Sequence, residues 1–168
     1  MPVVDIALSE TEICLGESIE VTSSPSLASY TWIPTSLSGS AGTITPQINQ
    51  TFYSVVATDN NGCINTNSGS LIINQIDEVD ILVNGSPTRT ICIGEEIQLS
   101  ATQGFTTYSW YPSSVSSAWT TDYEGTYVPV SLSDNQFTLS VSNEFGCQTS
   151  SILNITVKEI PIPAAIGF

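Results

Sequence analysis

At 168 residues the chain is long enough for one large domain or two small ones. Its net charge of −14, with Arg89 and Lys158 as the only cationic side chains, leaves no basic patch to neutralise phosphates. That excludes nucleic-acid binding and disfavours anionic membrane surfaces, and no apolar run approaches the ~18 residues of a membrane-spanning helix.

Forty per cent hydrophobic residues suffice for a core, and only 11% of residues are charged, so Ser, Thr, Asn and Gln supply most of the polarity. Such a mix suits short strands joined by polar turns, and no stretch shows apolar residues at helical spacing. The acidity reads first as solubility and mutual repulsion, with cation binding as the alternative. Met1-Pro2-Val3-Val4 does not begin a signal peptide, and the chain reads as an internal piece of a longer secreted protein.

Taken in chain order, the elements come twice. Val4-Asp5-Ile6 recurs as Val79-Asp80-Ile81, and Ile13-Cys14-Leu15-Gly16-Glu17-Ser18-Ile19 as Ile91-Cys92-Ile93-Gly94-Glu95-Glu96-Ile97. Tyr30-Thr31-Trp32-Ile33-Pro34 recurs as Tyr108-Ser109-Trp110-Tyr111-Pro112, and Tyr53-Ser54-Val55-Val56-Ala57 as Phe137-Thr138-Leu139-Ser140-Val141. Each run closes on Gly-Cys, at Gly62-Cys63 and Gly146-Cys147, and six extra residues lie between Trp and second Cys in the later copy. A repeat of this order predicts two modules, 3–77 and 78–160, followed by a linker or tail at 161–168.

Alternation assigns Ile19 and Val21, Tyr30 and Trp32, and Tyr53, Val55 and Ala57 to inward faces, with Ile97 and Leu99, Tyr108 and Trp110, and Phe137, Leu139 and Val141 as their counterparts. Leu71 with Ile73, and Leu153, Ile155 and Val157, form the last strand of each copy. Turn residues at Ser24-Pro25-Ser26, Asp59-Asn60-Asn61-Gly62, Gln103-Gly104 and Asn143-Glu144-Phe145-Gly146 separate the strands. About seven short strands per module, with a core Trp on the third, predict an all-β chain of two tandem immunoglobulin-like Greek-key sandwiches.

The combination of Ile-Cys-x-Gly-Glu-x-Ile, Tyr-x-Trp-x-Pro and a closing Gly-Cys resembles the immunoglobulin-like or PKD-like repeats of Bacteroidetes cell-surface proteins secreted by the type IX system, gliding-motility adhesins among them. The resemblance covers both repeats. Trp32-Ile33-Pro34-Thr35 and Trp110-Tyr111-Pro112-Ser113 stand where PKD repeats carry Trp-x-Phe-Gly-Asp-Gly, and the C-terminal sorting domain of that secretion system is absent. The resemblance implies a non-catalytic, cell-surface repeat segment whose partners are neighbouring repeats of the same chain and, at a distal site, surface polysaccharide or glycan.

Four cysteines at matched positions, with no His and no Cys-x-x-Cys, favour disulfides in an oxidising compartment over a metal or redox site. Repeat symmetry suggests Cys14 with Cys63 and Cys92 with Cys147. Sandwich topology suggests instead that Cys14 meets Cys147 and that Cys63 and Cys92 are left for further modules, because each self-closing pair would join opposite poles of a module. Both pairings stand open on the sequence.

Catalysis has little to work with: there is no His base, nucleophile elbow, P-loop or dinucleotide fingerprint. The carboxylate pairs Glu10 with Glu12, Glu95 with Glu96, and Asp122 with Glu124 read as solvated side chains, since short sandwich loops offer no cleft. Asp77, Glu78 and Asp80 at the module boundary are candidate Ca²⁺ ligands, and Asp59-Asn60-Asn61 offers further oxygens on a turn. Trp119, Tyr123 and Tyr127 lie in the second copy's insertion, as sugar-stacking rings or as a cap on the sandwich. The leading expectation is a rigid stalk or adhesive segment. The alternatives are a carbohydrate-binding accessory of a secreted polysaccharide-degrading enzyme and a decoration module on a larger assembly.

Overall fold

The computed structural model describes residues 1–85 and 90–161, so Arg89 and all but the first residue of the expected 161–168 tail lie outside the described residues. All regular structure among the described residues is β-strand, and the chain divides into two compact units between Gln75 and Ile76.

The first unit holds β1 (Ile6–Leu8), β2 (Glu12–Cys14), β3 (Ile19–Ser23), β4 (Ser29–Ile33), β5 (Ala41–Ile44), β6 (Phe52–Thr58), β7 (Ile64–Ser70) and β8 (Ile72–Asn74). One sheet runs β1-β3-β5 and the other β4-β6-β7, while β2 and β8 pair in parallel. The chain changes sheet between β3 and β4, back between β4 and β5, and again between β5 and β6, the crossings of an immunoglobulin-like sandwich. Period-two patterning drives the closure: β6 turns Tyr53, Val55 and Ala57 fully inward while Phe52 stays exposed. These side chains meet Ile19 and Val21 from the other sheet around Trp32, which is 1% exposed. Burying each large apolar side chain contributes roughly 1.5–3 kcal/mol.

The second unit repeats the plan with β9 (Ile81–Val83), β10 (Thr90–Cys92), β11 (Ile97–Ala101), β12 (Thr107–Pro112), β13 (Glu124–Tyr127), β14 (Gln136–Ser142), β15 (Gln148–Asn154) and β16 (Thr156–Lys158). Its sheets run β9-β11-β13 and β12-β14-β15, with β10 parallel to β16. Trp110, Phe137, Leu139, Ile97 and Leu99 are fully buried at its centre. The chain is therefore two tandem immunoglobulin-like sandwiches.

Two details differ from the sequence reading. The cysteine-bearing segments before β3 and β11 are strands in their own right, β2 and β10. The last strand of each module is broken in two, at Leu71 and Ile155. There the chain leaves an antiparallel partner (β6, β14) for a parallel one (β2, β10). The amides at the break are satisfied by loop carbonyls, Leu71 to Thr51 and Ile155 to Asn135, both at 2.8 Å. The apolar side chain stays buried across the break, so hydropathy alone reads one strand.

Candidate functional site

The cysteines occupy two kinds of turn, and both modules build each kind identically. Cys14 and Cys92 end β2 and β10. Their amides donate to Glu17 Oε2 at 2.8 Å and Glu95 Oε2 at 2.9 Å, while the Glu17 and Glu95 amides donate back to the Cys carbonyls at 3.1 Å. Gly16 and Gly94 follow at φ +94° and +79°, a conformation side chains resist, which explains Cys-x-Gly-Glu in both copies.

Cys63 and Cys147 close the hairpins into β7 and β15. The Cys63 amide donates to Asp59 Oδ1 at 2.9 Å, and the Cys147 amide to Asn143 Oδ1 at 3.0 Å. Asp59 Oδ1 also accepts from the Asn61 amide at 2.8 Å, so this carboxylate of the Asp59-Asn60-Asn61 turn caps its own loop.

Register decides where these turns lie within a module. Cys14 is level with Asn74 at the end of β8, whereas Cys63 precedes the first residue of β7. The intervening extended run spans roughly 35 Å at about 3.3 Å per residue. Disulfide Cα atoms lie within about 7 Å. Cys92, level with Lys158, and Cys147, ahead of β15, stand in the same relation. Accordingly Cys14 and Cys147 are disulfide-bonded, and Cys63 and Cys92 are free, exposed thiols. Neither self-closing pair suggested by repeat symmetry forms, because each would have to bridge the length of its module.

The insertion rings divide by burial. The backbone of Trp119 and Thr120 pairs with Trp110 on the edge of β12, through Trp119 N–H to Trp110 O at 2.8 Å and Trp110 N–H to Thr120 O at 3.1 Å. Trp119 meets Tyr127 edge-on at 5.3 Å between centroids, and Tyr127 meets buried Phe137 at 5.0 Å. Both insertion rings pack, half-buried, on the core. Trp119 also lies over Gly125, where a Cβ would come within 2.8 Å of its ring. Tyr123 remains 37% exposed and packs edge-on against Tyr108 at 6.5 Å. Hydrogen bonding to Glu124, with that carboxylate's charge, raises the Tyr123 hydroxyl above its ordinary pKa.

Asp77, Glu78 and Asp80 are all exposed, and no group of three His, Cys, Asp or Glu side chains placed to hold a metal occurs among the described residues. Glu78 and Asp80 border a shallow hollow with Thr149, Ser150 and Ser151. In the first module the matching positions on β7 are Asn65 and Asn67, whose amides donate to the Pro2 and Val4 carbonyls at 2.9 Å. The shorter Thr149 and Ser151 leave that space open. The carboxylates paired by sequence make separate surface bonds: Glu12 Oε1 accepts from Asn74 at 2.8 Å and Glu124 Oε2 from Gln98 at 3.3 Å.

One titratable group escaped the sequence reading. Asp134 is 1% exposed, and its Oδ2 accepts from the Val130 and Ser131 amides at 2.8 and 3.1 Å. Burial opposes its ionisation, but the donors at Val130, Ser114, Ser131 and Tyr127 outweigh burial and hold the carboxyl below its ordinary range. Oδ1 itself makes no hydrogen bond of ordinary geometry. The only signal was Ser131-Leu132-Ser133-Asp134, which resembles any polar turn.

No protein-family model matches the chain, and no curated protein matches it. Solved structures similar to it include three N-terminal domains of the bacteriophage RB49 Highly Immunogenic Outer Capsid protein, at 16% identity and a TM-score of 0.43 over 92% of this chain. The chain spans 58% of that structure. Murine CEACAM1b matches at 11% identity and 0.40, covering 93% of this chain and all of its own. The two immunoglobulin domains of DIP-gamma match at 10% and 0.36, covering 93% and 98%. Likenesses at these scores carry no argument about function.

Proposed function

We propose that the chain is a non-catalytic repeat segment of a large bacterial cell-surface adhesin of the gliding or attachment type, serving outside the cell as a stalk or adhesive module in series with similar repeats. The observation that supports this most is the shared frame: the same Tyr, Cys and Asx turn bonds recur in both modules, so what is repeated is the scaffold. Disulfide-bonded cysteines and a net charge of −14 fit an oxidising, solvated surface.

An antiserum raised against the chain tests the reading on the organism that produces it. Labelling of intact cells, with weakened attachment after in-frame deletion of the segment, is expected. Labelling only after permeabilisation would overturn it. A glycan array with Trp119→Ala as control separates the adhesin reading from a carbohydrate-binding accessory module, which requires sugar binding that the substitution abolishes.

A further inference from the structure

Charge is unevenly placed on the two sandwiches. Among the described strands it is confined to Glu12, Glu20, Glu124 and Lys158. Strands β4, β6 and β7 carry none, and neither do their counterparts β12, β14 and β15. Each trio is one three-stranded sheet whose inner face is core, so each module presents an uncharged outer face on a chain of net charge −14. Those faces are partly apolar. In the first module Phe52 is 69% exposed, Ile33 lies diagonal to it across β4 and β6, and Ile64 stands exposed at the other end. In the second, Tyr111, Thr138 and Ile152 form one cross-strand row with Tyr111 and Ile152 exposed. Most other outward positions are Ser and Thr.

We propose that these outer faces are self-association surfaces, each meeting the same face of a second copy of this chain. A hydroxyl both donates and accepts, so a face of Ser and Thr is complementary to itself, as a face of carboxylates is not. A two-fold contact brings such like faces together. Charge selects the occupant. A cationic partner is drawn to the acidic turns and an anionic one is repelled, whereas a second copy brings an equally uncharged face. Aliphatic Ile33, Ile64 and Ile152 outnumber the rings of Phe52 and Tyr111, which favours packing against side chains over stacking on sugars. Glu20 and Glu124 lie on the opposite sheet of their module, which stacking sets about 10 Å farther from the contact, beyond the ~8 Å screening length at physiological salt.

Three strands of up to seven residues span on the order of 300 Å². A stable complex buries about 800 Å² per partner, so the association is weak and concentration-dependent. It goes beyond the proposed cell-surface role and is read on the purified chain, so failure of either leaves the other standing.

Sedimentation velocity of the full chain tests it, with the exposed thiols capped by iodoacetamide so that no new disulfide contributes. The expected sedimentation coefficient rises with protein concentration and rises further in high salt, as screening relieves the net repulsion. Thr66→Glu with Ser150→Glu places one exposed charge on each face and is expected to weaken association about tenfold or more. Thr22→Glu with Thr126→Glu adds the same charge to exposed positions on the opposite sheets and is expected to leave it unchanged. Near-ultraviolet spectra like that of the parent chain show both pairs folded. Equal weakening by the two pairs would overturn the proposal, since net charge alone would then be acting. So would a chain that stays monomeric at every concentration and salt, including one whose faces instead bind a neutral polysaccharide, read as retardation in a dextran gel that the face pair abolishes.

Discussion

Tyr30 closes the turn that leads into its own strand: its hydroxyl donates to the Ser24 carbonyl at 2.7 Å and accepts the Leu27 amide at 2.9 Å. Tyr108 does the same with the Thr102 carbonyl and the Phe105 amide, both at 3.2 Å. Removing the hydroxyl leaves a partly buried amide and carbonyl without that partner. Tyr30→Phe is expected to cost about 1–2 kcal/mol. Urea unfolding followed by amide exchange reads it, with exchange at Leu27 quickening while Phe105 is unaffected.

Gly125 carries the weight of Trp119. A methyl group there meets the indole at 2.8 Å, so Gly125→Ala is expected to push the ring toward water and destabilise the second module by about 1–3 kcal/mol. A red shift in tryptophan emission checks it, because Trp32 and Trp110 are buried and have no reason to move. An unchanged spectrum would mean that Trp119 does not rest on this strand.

Much of this was legible in the sequence, and the limit has a physical basis. Trp32, Tyr53, Trp110 and Phe137 announce themselves because strand alternation and repetition coincide at the same positions, and the fold follows from them. Cysteine pairing is a matter of distance between ends of strands. Equal spacing in the two copies suggested self-closure, and only strand direction excludes it. Trp119 was ambiguous because a half-buried aromatic has the same local pattern whether it packs on a core or faces a ligand. Asp134 gave no signal, since its burial depends on how a loop folds back over it.

The Asp134 carboxyl predicts an acid limb of stability. Its folded pKa lies below the unfolded value, so the unfolded chain takes up the proton first. The stabilisation is present above the unfolded value near ~4 and is lost as pH falls through the folded pKa. The melting temperature of the second module should therefore drop on acidification below about pH 4. Asp134→Asn should be less stable at neutral pH, by about 1.5–3 kcal/mol for the charge-assisted bonds, and flatter in its response to acid.

Calcium at Asp77, Glu78 and Asp80 would need about six to eight oxygen ligands. Two of these carboxylates border the open hollow, beside Thr149 and Ser151. The expected outcome is a melting temperature that is the same in calcium and in chelator. A rise with calcium that Asp80→Asn abolishes would establish a site there.

The cysteines test the whole account most directly, because their states follow from the two-sandwich topology. Native alkylation followed by a non-reducing peptide map should label Cys63 and Cys92 and leave Cys14 and Cys147 unlabelled. Peptides linking Cys14 to Cys63 or Cys92 to Cys147 would contradict it, since strand direction puts those residues at opposite ends of their module.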